Sequence, residues 1–216
     1  MKQRVKLLAL STLAVALFVN CTNRSGSDNG TENSTLDSNS LSNTGVNNAD
    51  LEDETTKMEA LQATLKNVPP LSGEEVASFF PEELNGWSRT AYSGGAQAYG
   101  VKVASGNAVY DAGDKELMLH LTDGAGETGA AIVSLAAMGL AMDSEKDTDY
   151  DISKNESVHG FRASTRETKP QQAGNVVDSD INFVYKDRYL IKLEGDGFSL
   201  DELKDLVGKL DYSALK

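Results

Sequence analysis

The chain has 216 residues, a net charge of −13 and a single cysteine. Nucleic acid and anionic lipid headgroups repel so acidic a chain, so we expect no nucleic-acid partner; solubility alone, a basic partner and bound cations are each compatible with the charge. Because one thiol cannot form an internal disulfide, the fold must rest on its apolar core.

The first residues have the build of an export signal. Lys2, Arg4 and Lys6 precede an uninterrupted apolar run over residues 7–19. A positive segment followed by a short apolar one is typical of a secretory signal peptide. The run is shorter than the roughly 20 residues that a membrane-spanning helix needs. An uncleaved anchor or a buried helix is the alternative interpretation.

The apolar run leads directly to the cysteine, with Phe18 at −3 and Asn20 at −1 relative to Cys21. This arrangement resembles a loose form of the lipobox of bacterial lipoproteins. The resemblance covers residues 1–21 and implies that Cys21 is acylated on its thiol and becomes the new N-terminus. Thr22, in place of an Asp, implies the outer membrane of a Gram-negative bacterium. Acyl chains of this kind suffice for stable membrane attachment.

Three segments follow from this interpretation. Residues 1–20 are the signal peptide, residues 21–50 are the lipidated cysteine and a tether rich in Ser and Asn, and residues 51–216 are a single domain. The tether has too few large apolar residues to offset the entropy of ordering, so we expect it to be disordered. The basic and acidic residues of 1–50 are equal in number, so the net charge belongs to the domain.

Four segments have the periodicity or the start signals of helices. Ser72 with Glu75, and Ser199 with Glu202, form capping boxes at the start of two of them. The third segment in the chain is apolar almost all round, which predicts a helix buried at the centre of the core. The predicted helices cover residues 51–66, 72–80, 128–142 and 199–210.

Seven short segments read as strands. Residues 116–122 alternate, with Leu117, Leu119 and Leu121 directed to the core. Residues 105–107 read as a bulge or a hairpin turn that interrupts one strand. The last two strands form a hairpin across Lys186 and Asp187. The predicted strands cover residues 87–92, 99–103 with 108–111, 116–122, 150–153, 160–165, 180–185 and 188–194.

This order predicts an α+β fold in which two or three helices pack on an antiparallel sheet of six or seven strands. The element order is similar to the PsbP-like fold of the extrinsic photosystem proteins. The segments PEELNGWSR and DRYLIKLEGDG, with an Ala-rich helix between them, resemble uncharacterised bacterial envelope lipoproteins. Neither resemblance implies an activity.

The sequence offers little catalytic chemistry, and we expect no cofactor. His120 and His159 are far apart in the chain and have no metal-ligand spacing, and no Gly-X-Ser-X-Gly elbow occurs. Asp147, Asp149 and Asp151 are weak candidates for a Ca²⁺ site in a predicted acidic loop over residues 143–151, with a solvated loop as the favoured interpretation. The loop over residues 169–178 is a candidate flap.

These observations predict a membrane-anchored envelope lipoprotein whose domain is not an enzyme but binds a small ligand or an envelope protein. One alternative is a structural or assembly accessory of the envelope. A less favoured alternative is a carboxylate-dependent hydrolase, because Asp and Glu side chains can converge in three dimensions without a sequence motif.

Overall fold

The computed structural model describes residues 48–96, 102–170 and 177–216. The predicted signal peptide, the lipidation site at Cys21 and the tether up to residue 47 lie outside the described residues. The same holds for residues 99–101 of one predicted strand and for most of the candidate flap.

Four helices and nine strands form the described part of the chain, in the order α1, α2, β1–β4, α3, β5–β9, α4. The helices are α1 (Asn48–Leu65), α2 (Gly73–Ser78), α3 (Gly126–Ala141) and α4 (Leu200–Val207). The first strands are β1 (Glu83–Leu84), β2 (Trp87–Gly95), β3 (Ser105–Asp111) and β4 (Glu116–Asp123). The later strands are β5 (Glu145–Asp147), β6 (Asp151–Val158), β7 (Phe161–Thr168), β8 (Asp178–Tyr185) and β9 (Tyr189–Asp196).

The nine strands make one open antiparallel sheet in the order β1-β2-β3-β4-β9-β8-β7-β6-β5. Strands β1 to β4 form one half of the sheet, from the edge to the centre. Helix α3 then takes the chain to the opposite edge, where β5 begins. From β5 it returns strand by strand until β9 pairs with β4. The predicted α+β class and antiparallel pairing are confirmed.

The main core lies on one face of the sheet, where every second residue is buried. Leu117, Leu119 and Leu121 of β4 are buried there as predicted, and Ile191 and Leu193 face the same core from β9. The predicted hairpin is also confirmed, because Phe183 pairs with Ile191 and Ile181 pairs with Leu193. Its turn residues, Lys186 and Asp187, both adopt a positive φ.

Helices α2 and α4 cover this core face. Both begin with the predicted capping box, in which the serine hydroxyl accepts a hydrogen bond from the glutamate backbone N–H and the glutamate carboxylate accepts one from the serine backbone. Leu203, Leu206 and Val207 of α4 are buried against the sheet. Leu215, near the C-terminus, is buried in the same cluster.

Helices α1 and α3 lie on the opposite face. Ala130 and Val133 of α3 pack with Leu65 of α1 in a second, smaller cluster. Val184 and Leu190, which point away from the main core, pack against that cluster from the sheet. Within the described residues, no helix is both long enough and apolar enough to cross a bilayer.

The expectation that α3 is buried on all sides is wrong. Ile132 is 40% exposed and Leu135 is 61% exposed, because the sheet and α1 together cover only part of the helix surface. The many Ala and Gly residues of α3 make the helix apolar all round without indicating which face packs.

The strand and helix numbers also differ from the prediction of six or seven strands and two or three helices. Two of the additional elements, β1 with two residues and β5 with three, are too short to show a two-residue period. Glu145–Asp147 thus forms an edge strand inside the segment that we expected to be a loop.

The predicted interruption at residues 105–107 is wrong as well, because Ser105–Asp111 is one continuous strand paired on both sides. Gly106 is required for close packing and not for a bulge or a turn. A Cβ at this position would lie 2.7 Å from Phe80 Cε2 and 2.9 Å from Val76 Cγ1, so only glycine lets α2 pack this closely on β3.

Candidate functional site

The face of the sheet opposite the main core is only partly covered. Helix α3 packs on β4, β7, β8 and β9, and α1 packs on α3. Beyond α3, side chains that alternate with the core residues are half-buried or exposed and mostly polar. We call this uncovered region, from Asp111 of β3 to Arg166 of β7, the polar face.

A three-residue ion-pair group occupies the middle of the polar face. His120 Nε2 of β4 lies 3.0 Å from Glu194 Oε2 of β9, and Lys192 also pairs with Glu194. The hydrogen bond from His120 is the largest cause that lowers the pKa of Glu194 to about 2, and the pairing with Lys192 adds to it while partial burial opposes it. Glu194 is therefore a carboxylate at neutral pH.

A second ion pair, between Arg166 and Asp180, lies in the same cross-strand row as Glu194. Met118, Glu194, Asp180 and Arg166 follow one another across β4, β9, β8 and β7. Arg166 Nε donates to Asp180 Oδ2 over 2.6 Å. Within this row Arg166 neutralises Asp180, and Glu194 is paired by Lys192 from the adjacent row.

The neighbouring row does not alternate in sign. Asp111, Glu116, Asp196 and Asp178 are directly opposite one another across β3, β4, β9 and β8, and all four are exposed. Like charges that face each other across strands destabilise a sheet. We call these four residues the acidic row.

A shallow depression of about 300 Å³ lies between the two rows. Its wall combines carboxylates of the acidic row with the Arg166–Asp180 pair and the apolar side chain of Met118. The depression is open to solvent and is large enough for a small charged group or one side chain of a protein partner. Its lining consists of Glu116, Met118, Arg166, Asp178, Ser179, Asp180, Glu194, Gly195 and Asp196.

The acidic residues singled out from the sequence lie elsewhere. Asp147 is on the edge strand β5 and pairs with Lys169. Asp151 begins β6 and accepts a 2.6 Å hydrogen bond from the Thr148 hydroxyl, and Asp149 lies in the bend between the two strands. In the part of the chain that the structure describes, no group of three or more His, Cys, Asp or Glu side chains is arranged to hold a metal.

The two histidines are separate. His120 takes part in the polar face, whereas His159 lies at the β6–β7 turn with a φ of 49°. The ring of His159 lies against Gly208 at the end of α4, where an added Cβ would come within 2.8 Å of its Cε1.

Sequence reasoning missed the acidic row for a physical reason. Each of its carboxylates lies at the end of a strand, where charged residues are common and do not indicate a binding site. The row exists because β4 pairs with β9, and that pairing joins segments about seventy residues apart through a register that no local pattern encodes.

Comparison with known proteins adds little. Neither a family model nor a curated protein matches the chain. Among solved structures, a GTP binding regulator from Thermotoga maritima matches 58% of this chain and 77% of its own, with 14% identity and a TM-score of 0.31.

Proposed function

We propose that this protein is a non-catalytic binding domain, attached by lipid at Cys21 to the outer membrane of a Gram-negative bacterium, and that it binds through the polar face. The observation that supports a binding role is the depression beside the acidic row. A large part of a sheet face is left without a helix there, and its side chains are arranged in register across four strands.

The charge of the polar face favours a basic ligand or a basic segment of an envelope protein. Four carboxylates in one row repel one another, so a cation placed over them relieves that repulsion and gains the attraction to each. Met118 and the stems of the charged side chains supply apolar contact beneath such a group.

The titration of the carboxyl groups supports binding over acid catalysis. A general acid needs a carboxyl pKa that is raised toward neutrality. Hydrogen-bonded and paired carboxylates with lowered pKa values instead remain charged and suit the recognition of cations. Among the residues that line the depression, Glu194 is a paired carboxylate of this kind, with its pKa lowered to about 2 chiefly by the hydrogen bond from His120.

Photocrosslinking from the polar face tests the binding proposal. A photoreactive amino acid at Met118 in the full-length chain, expressed in its native envelope, should give a defined crosslinked product. Glu116→Lys with Asp178→Lys should remove that product. The matched control carries the same photoreactive residue at Asp201, on the exposed side of α4. A product that forms equally from both positions, or that survives the charge reversal, would contradict the proposal.

The lipid anchor has its own test. Labelled palmitate should enter the wild-type chain, and Cys21→Ser should abolish the labelling. Incorporation into the serine variant, or none into the wild type, would remove the anchor while leaving the crosslinking result to decide the binding role.

A further inference from the structure

One edge of the sheet is formed for most of its length by β2. The two-residue strand β1 pairs only with Trp87 and Ser88, and Arg89 N donates to Glu82 O just beyond. From Ala91 to Gly95, β2 pairs in register with β3 on its inner side, and Thr90 lies at a shift in that register. Within the described residues no strand pairs with the outer side of Thr90 to Gly95. Alternate residues of this six-residue segment thus present backbone N–H and C=O groups outward.

The opposite edge is protected in the usual manner. Strand β5 is short and consists of Glu145, Lys146 and Asp147, all exposed, and it covers residues 152–154 in the first half of β6. Short charged edge strands discourage pairing with another chain. The outer segment of β2, TAYSGG, has no charged residue, and its one irregularity is the register shift at Thr90, which leaves Ala91 to Gly95 regular.

The charge distribution along the chain singles out the same edge. Residues 84–110 contain Arg89 and Lys102 but no Asp or Glu, in a chain with a net charge of −13. Two copies of so acidic a protein repel one another in most orientations. Glu82 and Glu83 lie beyond the start of the open β2 segment and Glu74 of α2 lies toward its other end, but Thr90 to Gly95 itself carries no carboxylate. Two copies that meet along this segment therefore bring no carboxylates directly opposite one another.

We propose that a second copy of this chain pairs with the first through β2, antiparallel and about a two-fold axis at Ser93. A two-fold axis lets one edge supply both partners, so each outward N–H meets an outward C=O of the other copy. The exposed side chains of Ala91 and Ser93 and the two glycines at 94 and 95 are small, and they do not obstruct the approach. The contact area is small, so the association is weak and depends on concentration.

Charge substitution at Ser93 provides the test, because the axis places this residue opposite its own counterpart. Ser93 is exposed, and its hydroxyl donates a surface hydrogen bond to Asn107 Oδ1, so Ser93→Asp and Ser93→Lys give up that one bond and keep the fold. Copies of the full-length chain with two different affinity tags are co-expressed, and the fraction that co-purifies is measured. Wild-type copies should co-purify. Asp with Asp and Lys with Lys should co-purify about fivefold less, and Asp with Lys should restore the wild-type level.

A crosslink fixes the geometry. Ser93→Cys should form an intermolecular disulfide on mild oxidation, whereas the matched control Ser157→Cys, on β6 at the other edge, should form no more disulfide than the wild-type chain. Absence of co-purification between wild-type copies, or equal crosslinking from both positions, would overturn the proposal. Weaker association with Asp and stronger association with Lys, without rescue by mixing, would also overturn it, because it would show that Ser93 does not face its own counterpart.

Discussion

The buried pair of Asp123 and Arg188 joins three separate parts of the chain. Asp123, with 0% of its side chain exposed, accepts hydrogen bonds from Leu71 N at 2.7 Å, from Ala125 N at 3.0 Å and from two nitrogens of Arg188. Arg188 also donates to Pro69 O. One carboxylate thus holds the connection into α2, the start of α3 and the β8–β9 turn together. The hydrogen bonds that Arg188 donates to Asp123 raise the pKa of Arg188.

Removing this carboxylate should be costly. Asp123→Ala leaves a mostly buried guanidinium without its partner, and we expect the free energy of unfolding to fall by about 3–5 kcal/mol in urea denaturation. Asp143→Ala is the matched control, because Asp143 also pairs with an arginine, Arg162, but its side chain is 99% exposed. Asp143→Ala should lower the free energy of unfolding by less than about 1 kcal/mol. Equal losses in the two variants would show that burial does not govern the strength of these pairs.

Glu194 should make the stability of the protein depend on pH in the acid range. Its pKa is about 2 in the folded protein against an ordinary 4.5, so its pairing stabilises the fold above pH 4.5 and is lost as the pH falls from 4.5 toward 2. Glu194→Gln should therefore flatten the decline of the melting temperature in this window relative to the wild type. His120→Leu, which removes the largest cause of the shift, should have the same effect. An unchanged decline in both variants would contradict the assignment.

At the scale of the elements, two glycines in the paired strands β2 and β3 differ in what they tolerate. Gly106→Ala would place a methyl group against Phe80 and Val76 of the α2 segment, so we expect a loss of about 1–3 kcal/mol. Gly95, paired with Ser105 in the same two strands, has open space around it. Gly95→Ala should leave the unfolding free energy close to that of the wild type, measured by the same denaturation. If Gly106→Ala lowered the unfolding free energy as little as Gly95→Ala, α2 would have to be able to move away from the sheet.

Two leucines test how the helices pack. Leu203 of α4 is buried in the main core, so Leu203→Ala should cost about 2–5 kcal/mol of unfolding free energy. Leu135 of α3 is 61% exposed, and Leu135→Ala should change the unfolding free energy by less than about 0.5 kcal/mol. A large loss at Leu135 would favour the sequence-based expectation of a buried α3 over the observed exposure.

At the scale of the whole molecule, the sequence predicted features whose causes are local. The leucine alternation of β4, the hairpin around Lys186 and the capping boxes at Ser72 and Ser199 each depend on residues a few positions apart. The exposure of α3 and the role of Gly106 depend on elements distant in the chain, and so does the acidic row. The lipid anchor and the binding role remain predictions.

The pairing of β4 with β9 determines when the sheet can close during synthesis. Residues 116–123 lie at the middle of the sheet, yet their neighbours on one side are residues 189–196, close to the end of the chain. A partly synthesised chain therefore carries one half-sheet with an open edge at β4, and this edge stays unpaired until residues 189–196 emerge. Such late closure would keep the polypeptide unfolded during passage through a membrane translocon, which is compatible with the export that we propose.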